Sequence, residues 1–348
     1  MKFSKFPGPK TASIGSFFKP WLLFFPGFLV FVSLANPVIS LAEKYKSLGP
    51  LNGRNQAPVL NLFYLMQPAG TKTLGRGHRE IRFDSDISNI QERRGNLVYD
   101  MEIYRQSFHI SYGITENADI HMEIPALSFK SGKLDRIVQD YHNFFGLPNG
   151  GRETSSNELF DYRYRRDGAT LFDFPPRSAA LSDINLDIKW VVNINSWLPS
   201  IALRSGIKLP TGDFEKGTGS GGYDYSFGAA FDKSVSRFNF FSGIDIVVID
   251  VPDKLNTMIN NDIFHGYLGV EYMAIKDNLS FIVQIDGQNT PFSHAGIVTL
   301  DRDISEVTTG FKGSHYNGLL LWQLSLREDI ALYSTVDFTI SFSVGSRF

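Results

Sequence analysis

The sequence predicts an all-β chain: a transmembrane antiparallel β-barrel of about twelve strands, with ten or fourteen as alternatives, carrying one long helix-containing external loop. Three observations lead there. From Arg79 to Phe348, segment after segment alternates apolar and polar side chains with period two, the pattern of strands with one apolar and one polar face. Beyond residue 42 no stretch is apolar enough to span a bilayer as a helix of about 20 residues. A membrane location would then require a closed barrel, which leaves no backbone group unpaired in hydrocarbon. Aromatic residues make up 14% of the chain, with 30 Phe and 14 Tyr, which suits girdles at two membrane interfaces. The competing reading is a soluble β-sandwich with the same apolar faces as its core. Strand number, the Tyr and Phe at strand ends and the terminal Phe348 weigh against it.

The 348 residues fit one large domain, since all-β barrels often exceed 200 residues. The absence of Cys excludes disulfide frameworks, thiolate metal sites and Cys nucleophiles. A net charge of −2 gives no reason to expect nucleic acid as a partner. Residues 1–42 read as a signal peptide. Lys2, Lys5, Lys10 and Lys19 form its basic start, Trp21 to Leu34 its apolar core, and cleavage falls after Ala35 or Ala42. An N-terminal membrane anchor is the alternative.

Residues 43–78 are expected as an N-terminal periplasmic or lumen segment, and 79–348 as the barrel. Asn52 to Pro58 is rich in turn formers. Val59–Met66 is apolar on both faces and reads as a short extended segment inside or at the rim, or as an extra wall strand. The wall strands are expected at 79–88, 97–114, 119–129, 182–195, 200–209, 223–231, 237–249, 263–275, 279–288, 304–312, 319–326 and 336–348. Between them Lys130–Ala180 is too long for an ordinary connection and reads as functional. Within it Leu134, Ile137, Val138, Tyr141 and Phe145 recur at helical spacing, and Gly146-Leu147-Pro148 ends the helix. Asn149-Gly150-Gly151 and the basic Arg163, Arg165 and Arg166 follow. Gly212–Gly222 is a Gly-rich loop; its part Gly217–Gly222 lacks the Lys-Ser/Thr ending of a phosphate loop and reads as a mobile external loop. Short turns alternate with long loops, as when one end faces the periplasm and the other faces out.

The last segment, Val336 to Phe348, resembles the C-terminal strand of bacterial outer-membrane barrels. That likeness implies the outer membrane of a Gram-negative bacterium, contact with its lipid, and Phe338, Phe342 and Phe348 as the signal for the barrel assembly machinery. The chain as a whole resembles a bacterial outer-membrane family known as domain of unknown function 3187. The matching stretches are Asn52–Pro58, Tyr112–Pro125, Gly132–Arg152, Lys208–Gly212, Glu328-Asp329 and Asp337-Phe338-Thr339. The resemblance implies a barrel in the outer membrane and no particular activity.

By strand parity, Arg105, His109, His121 and Glu123 form a polar cluster facing the lumen. A His/Glu set can bind a metal or act as an acid–base pair, but a hydrogen-bonded network near the periplasmic rim is the simpler reading, and no metal or cofactor is expected. Asp187, Lys189, Arg204, Lys208, Asp224, Asp245, Glu271, Asp286 and Asp337 are further lumen charges. They fit a packed small barrel or a narrow polar pore equally. Leu134, Ile137, Val138, Tyr141, His142 and Phe145 are expected to form a plug or gate that caps the barrel mouth, with its polar face toward solvent or lumen charges. The functional expectation is a passive channel or transporter for an unnamed small solute. The alternatives are a non-conducting structural or surface-interaction barrel and a rim-site lipid hydrolase using Ser107 or Ser111 beside His109. The last is disfavoured because no oxyanion-hole motif accompanies them.

Overall fold

The structure, a computed structural model, describes residues 45–146, 159–192, 198–293, 295–330 and 335–348. The expected signal peptide, Asn149 to Arg152 and most of the turn at Ser196-Trp197-Leu198 lie outside the described residues.

The strands are β1 (Arg79–Arg94), β2 (Leu97–Thr115), β3 (Ala118–Lys130), β4 (Asp161–Arg166), β5 (Ala169–Asp173), β6 (Arg177–Leu181), β7 (Ile184–Val192), β8 (Ser200–Leu209), β9 (Asp224–Val235), β10 (Phe238–Val248), β11 (Asp262–Ile275), β12 (Leu279–Gln288), β13 (Ile304–His315), β14 (Leu320–Asp329) and β15 (Phe338–Arg347). Among the described residues there are two short helices, α1 (Asp135–Phe145) and α2 (Val298–Asp301). Twelve strands close a barrel in the order β1, β2, β3, β7 and then β8 to β15, each antiparallel to its neighbours. Antiparallel β15–β1 pairing from Glu80↔Arg347 to Asn89↔Phe338 shuts it. Among the described residues no helix is long and apolar enough to cross a membrane.

Alternation sets the two faces. On β1 and β2, Ile81, Phe83, Phe108, Ile110 and Tyr112 point outward and are exposed, while Asp84, Asp86, Ser107 and His109 point inward and are buried. The barrel has a turn end and a loop end. Tight connections at 116–117, 236–237 and 276–278 mark the first. At two of them Ser236 and Asp277 take positive φ, as short hairpins that follow the strand twist require. The longer connections that follow β3, β8, β10 and β12 leave from the other.

Two expectations change here. The first strand does not stop at Ser88 but runs to Arg94, pairing with β2 through Arg94↔Leu97, so this hairpin rises above the wall. The 130–180 connection holds strands as well as a helix. The β4–β5 hairpin extends the sheet by pairing with the top of β2, and β6 pairs with β3. Tyr162 and Tyr164 are buried in alternation with Arg163 and Arg165. That pattern is present in the sequence but only two pairs long.

The apolar core is not between sheets. It lies at the loop end of the lumen, where Val59 to Met66 pack against Ile90, Met101 and Ile103 of the wall, Tyr162, Tyr164 and Phe172 of the β4–β5 hairpin, and Leu255, Met258 and Phe292 of the loops. At roughly 1.5–3 kcal/mol per buried large apolar side chain, this cluster is a major tie between segment, hairpin and wall. Val59–Met66 is therefore no extra wall strand. Leu60–Leu62 forms a single 3-10 turn inside the barrel.

Candidate functional site

Residues 45 to 74 run up through the lumen and back. They belong to no sheet, so their backbone groups need other partners, because a buried unpaired amide or carbonyl is costly. The inward side chains of the wall supply them. On the way up, Lys46, Leu48, Leu51 and Asn52 donate their N–H groups to Asp277 (2.5 Å), Glu271 (2.9 Å), Gln284 (3.2 Å) and Gln323 (2.8 Å). Lys312 donates to the Pro50 carbonyl. Asn55 reaches Thr335 at 2.5 Å. On the way down, Tyr64 N–H donates to Asp224 (2.8 Å) and its hydroxyl to Asp187. Arg204 donates to the Gln67 carbonyl at 2.6 Å. Tyr267 donates to the Ala69 carbonyl at 2.6 Å, Thr71 N–H to Asp232 at 2.6 Å, and Leu74 N–H to Asp119 at 3.0 Å. Gly206 is the wall position beside Tyr64, and a Cβ there would overlap the Tyr64 hydroxyl.

The expected polar cluster forms, with the segment added to it. Glu123 accepts from Arg105 (2.9 Å), Ser107 (2.8 Å), Asn185 (2.8 Å) and also Arg54 of the segment. Four donors thus converge on one buried carboxyl group, which offsets the cost of its burial. Beside it runs a second chain of contacts. Ser111 Oγ lies 2.8 Å from His121 Nδ1, His121 Nε2 lies 3.2 Å from His109 Nδ1, and His109 Nε2 lies 3.0 Å from Asp84. With Nε2–H on His121, that ring accepts from Ser111 and donates to His109; His109 and Asp84 are in close contact.

Most of the remaining predicted charges point into the lumen and are paired. Lys208 meets Asp183 (2.6 Å), Ser220 (2.7 Å) and Asp224 (3.4 Å). Asp183 also accepts from the N–H of Gly212 at 2.7 Å. Lys208 and Asp183 thus bond Gly212, Ser220 and Gly222 of the loop to the wall. Asp245 and Asp286 flank His265 at 3.2 and 3.7 Å. Arg204 lies 3.5 Å from Asp245, and Lys189 lies 3.6 Å from Asp119. Glu271 holds Leu48, as above. Asp337 differs from these: it stands at the loop-end rim, where it accepts from the N–H of Gln91 at 3.1 Å and caps the overhanging edge of β1.

The expected plug helix is elsewhere. Leu134 N–H donates to Glu102, Asn89 donates to Asp135 at 2.9 Å, His142 lies 3.1 Å from Glu328, and the Tyr141 ring is 5.1 Å from that of Phe338. All four wall partners carry outward parity. The helix α1 therefore rests on the outside of the barrel and does not cap its mouth. Asp135 and His142 are buried against the wall, not solvated. Val138 is buried, Leu134 and Tyr141 are half-buried, and Ile137 is exposed; the Phe145 side chain lies outside the described residues. Of the predicted assembly signal, Phe338 lies under α1 and Phe342 is exposed on the outer face. Phe348 is exposed at the turn end, where its carbonyl accepts from Arg79 N–H at 2.7 Å.

A cavity of about 860 Å³ remains at the turn end, between the segment and the β13–β15–β1–β3 side of the wall. Lys72, Arg82, Ser111, Asp119, His121 and Lys312 are among its lining residues. Among the described residues no group of three or more His, Asp or Glu could hold a metal ion. The sequence reading missed Arg54, Asn55, Tyr64 and Gln67. Their signal was a polar run abutting an apolar one, which turn propensity explained equally well.

Comparison with known proteins agrees with this fold. No curated protein sequence matches the chain. Among solved structures, an outer-membrane channel from Pseudomonas putida F1 superposes with a TM-score of 0.54 at 11% identity, covering 82% of this chain and 100% of that one. The NanC porin (TM-score 0.44, 9% identity, 78% and 98% covered) and the Ralstonia pickettii toluene transporter TbuX (0.37, 9%, 78% and 89%) are more distant and carry no weight. The first likeness shows a shared barrel fold. Residues 28–348 match the family described as "Protein of unknown function (DUF3187)", and the chain belongs to that family.

Proposed function

We propose that this chain is an outer-membrane channel for a small solute, with its turn end toward the periplasm and residues 45–74 as the plug that closes it. The observation that supports the reading is how the segment is held. It is held by separate side-chain contacts and, over 59–66, by the apolar cluster at the loop end, and by no strand ladder, so the wall's own pairing does not depend on it, and the cavity at the turn end is a ready vestibule. The plug assigned from sequence to α1 passes to this segment. The test is conductance of purified protein in planar bilayers, before and after a Cys at Gln56 is crosslinked to a Cys at Asp86; the two side chains lie 3.4 Å apart, and the chain has no native Cys. Steps of conductance that vanish on crosslinking are expected. No conductance even after deletion of 45–74, from a barrel still folded, would favour a structural barrel.

The Ser111–His121–His109–Asp84 chain favours one second reading, an acyl hydrolase inside the lumen with Ser111 as nucleophile and His121 as base. The strand ladder engages the backbone around Ser111, so no backbone N–H pair is left to hold an oxyanion, and this reading stands behind the channel. Labelling of Ser111 by a fluorophosphonate, lost in His121→Ala, would raise it.

A further inference from the structure

The four wall residues under α1 form one row. Strand register pairs Glu328 with Phe338, Phe338 with Asn89, and Asn89 with Glu102, across β14, β15, β1 and β2. The outward row next to it, toward the turn end, is Leu326, Ile340, Ile87 and Tyr104, again in register. So on three of these four strands the outward face changes from apolar or aromatic to polar at this step. That change marks the upper edge of the lipid-facing band, and α1 lies just above it. An 11-residue helix is about 16 Å long at about 1.5 Å per residue. Four strands about 4.8 Å apart span about 14 Å. The helix therefore crosses all four strands, its N-terminus at β2 and its C-terminus at β14.

Its residues divide by angle. Asp135, Val138 and His142 meet the wall. Arg136 and Asp140 are exposed together on another side. Ile137 and Phe144, seven positions apart and so on one stripe, are 55% and 82% exposed. Large apolar groups this exposed, adjoining an apolar band, are in a suitable place to meet hydrocarbon and a poor one to meet water. Lys130, over the Tyr104 ring at 4.7 Å, and the exposed Lys133 add positive charge at the same level, where lipid headgroups would lie.

We propose that α1 is a lipid-binding interfacial helix that sets Ile137 and Phe144 into the outer edge of the acyl layer, with Arg136 on its aqueous side. This rests on placing the barrel in a membrane but not on its conducting anything, and its readout is independent of conductance. Single Cys residues at 137, 144 and 136 are labelled with a nitroxide in the full chain, reconstituted in phosphatidylcholine vesicles. Folding of each variant is checked by its heat-modifiable mobility. At 137 and 144, collision with oxygen, which partitions into acyl chains, should exceed collision with a water-soluble nickel chelate several-fold, and at 136 the order should reverse. Chelate dominating at all three positions would overturn the proposal. Shielding from both reagents with spin–spin broadening between molecules would overturn it too, by showing that a second copy covers this face.

Discussion

Replacing Arg54 with Gln should open the channel without unfolding the barrel. Arg54 is one of the charged ties between the segment and the wall, donating to Glu123 and, at 3.2 Å, to the segment's own Leu65 carbonyl. Both side chains are about 95% buried, so the bond is little screened and salt should hardly change the effect. Glu123 keeps Arg105, Ser107 and Asn185 after the substitution, so the wall loses no buried partner outright. The loss is then that of one charge-assisted hydrogen bond, about 1.5–3 kcal/mol, and it falls on the seated state alone. At about 1.4 kcal/mol per decade, the open-to-closed ratio rises roughly 10- to 100-fold. Single-channel recording gives the open probability directly, and heat-modifiable mobility reports the fold. Glu123→Gln is the harsher partner variant. It leaves two buried guanidinium groups short of charge and should cost about 3–5 kcal/mol, with loss of barrel stability as well as plug release. Equal open probability for wild type and Arg54→Gln, in barrels that still run as folded, would refute the gating role of this contact.

Gly206→Val should raise conductance more than the matching change at the wall glycine Gly310, because only the first drives a side chain into the Tyr64 hydroxyl and off Asp187; paired bilayer recordings check it. Lys208→Met should lower the unfolding temperature seen by heat-modifiable mobility, since it leaves Asp183 and Asp224 buried without their cation, a loss of about 3–5 kcal/mol; Lys208→Met combined with Asp183→Asn should recover part of it. Tyr162→Ala should loosen the loop-end cap by about 3–5 kcal/mol, the range for truncating a large buried ring, because Tyr162 packs on Tyr99, Phe129, Phe172 and Phe174 at once. Protease added to intact cells should then cut within 131–183 faster than in wild type, and an unchanged rate would show that the cap does not depend on that ring.

Period two in the sequence determined the wall. Ile81 and Phe83 against Arg82 and Asp84, repeated around the chain, leave a strand only one way to turn its apolar side, and a one-residue slip would reverse every side chain. Strand number, the two kinds of connection and the inward direction of Arg105, His109, His121 and Glu123 all follow from that local rule. Lys208 and Asp224 were legible as lumen charges for the same reason.

Tertiary structure alone decided what those charges hold. An inward polar face reads the same in a water-filled pore and in one packed with protein, because Asp224 can bond to water or to the Tyr64 amide, and nothing in the strand distinguishes them. Asn52 to Met66 carries no periodicity, so its place depends on partners far along the chain: Arg54 on Glu123, Asn55 on Thr335, Tyr64 on Asp187. The helix α1 shows the same limit from the other side. Its stripe of Leu134, Ile137, Val138 and Tyr141 was plain, and a stripe must pack on something. Which surface it meets was fixed by one polar row on the outer wall, Glu328, Asn89 and Glu102, which binds His142, Asp135 and the Leu134 amide. That row exists only once β14, β15, β1 and β2 lie side by side, because strands distant in sequence become neighbours when the barrel closes.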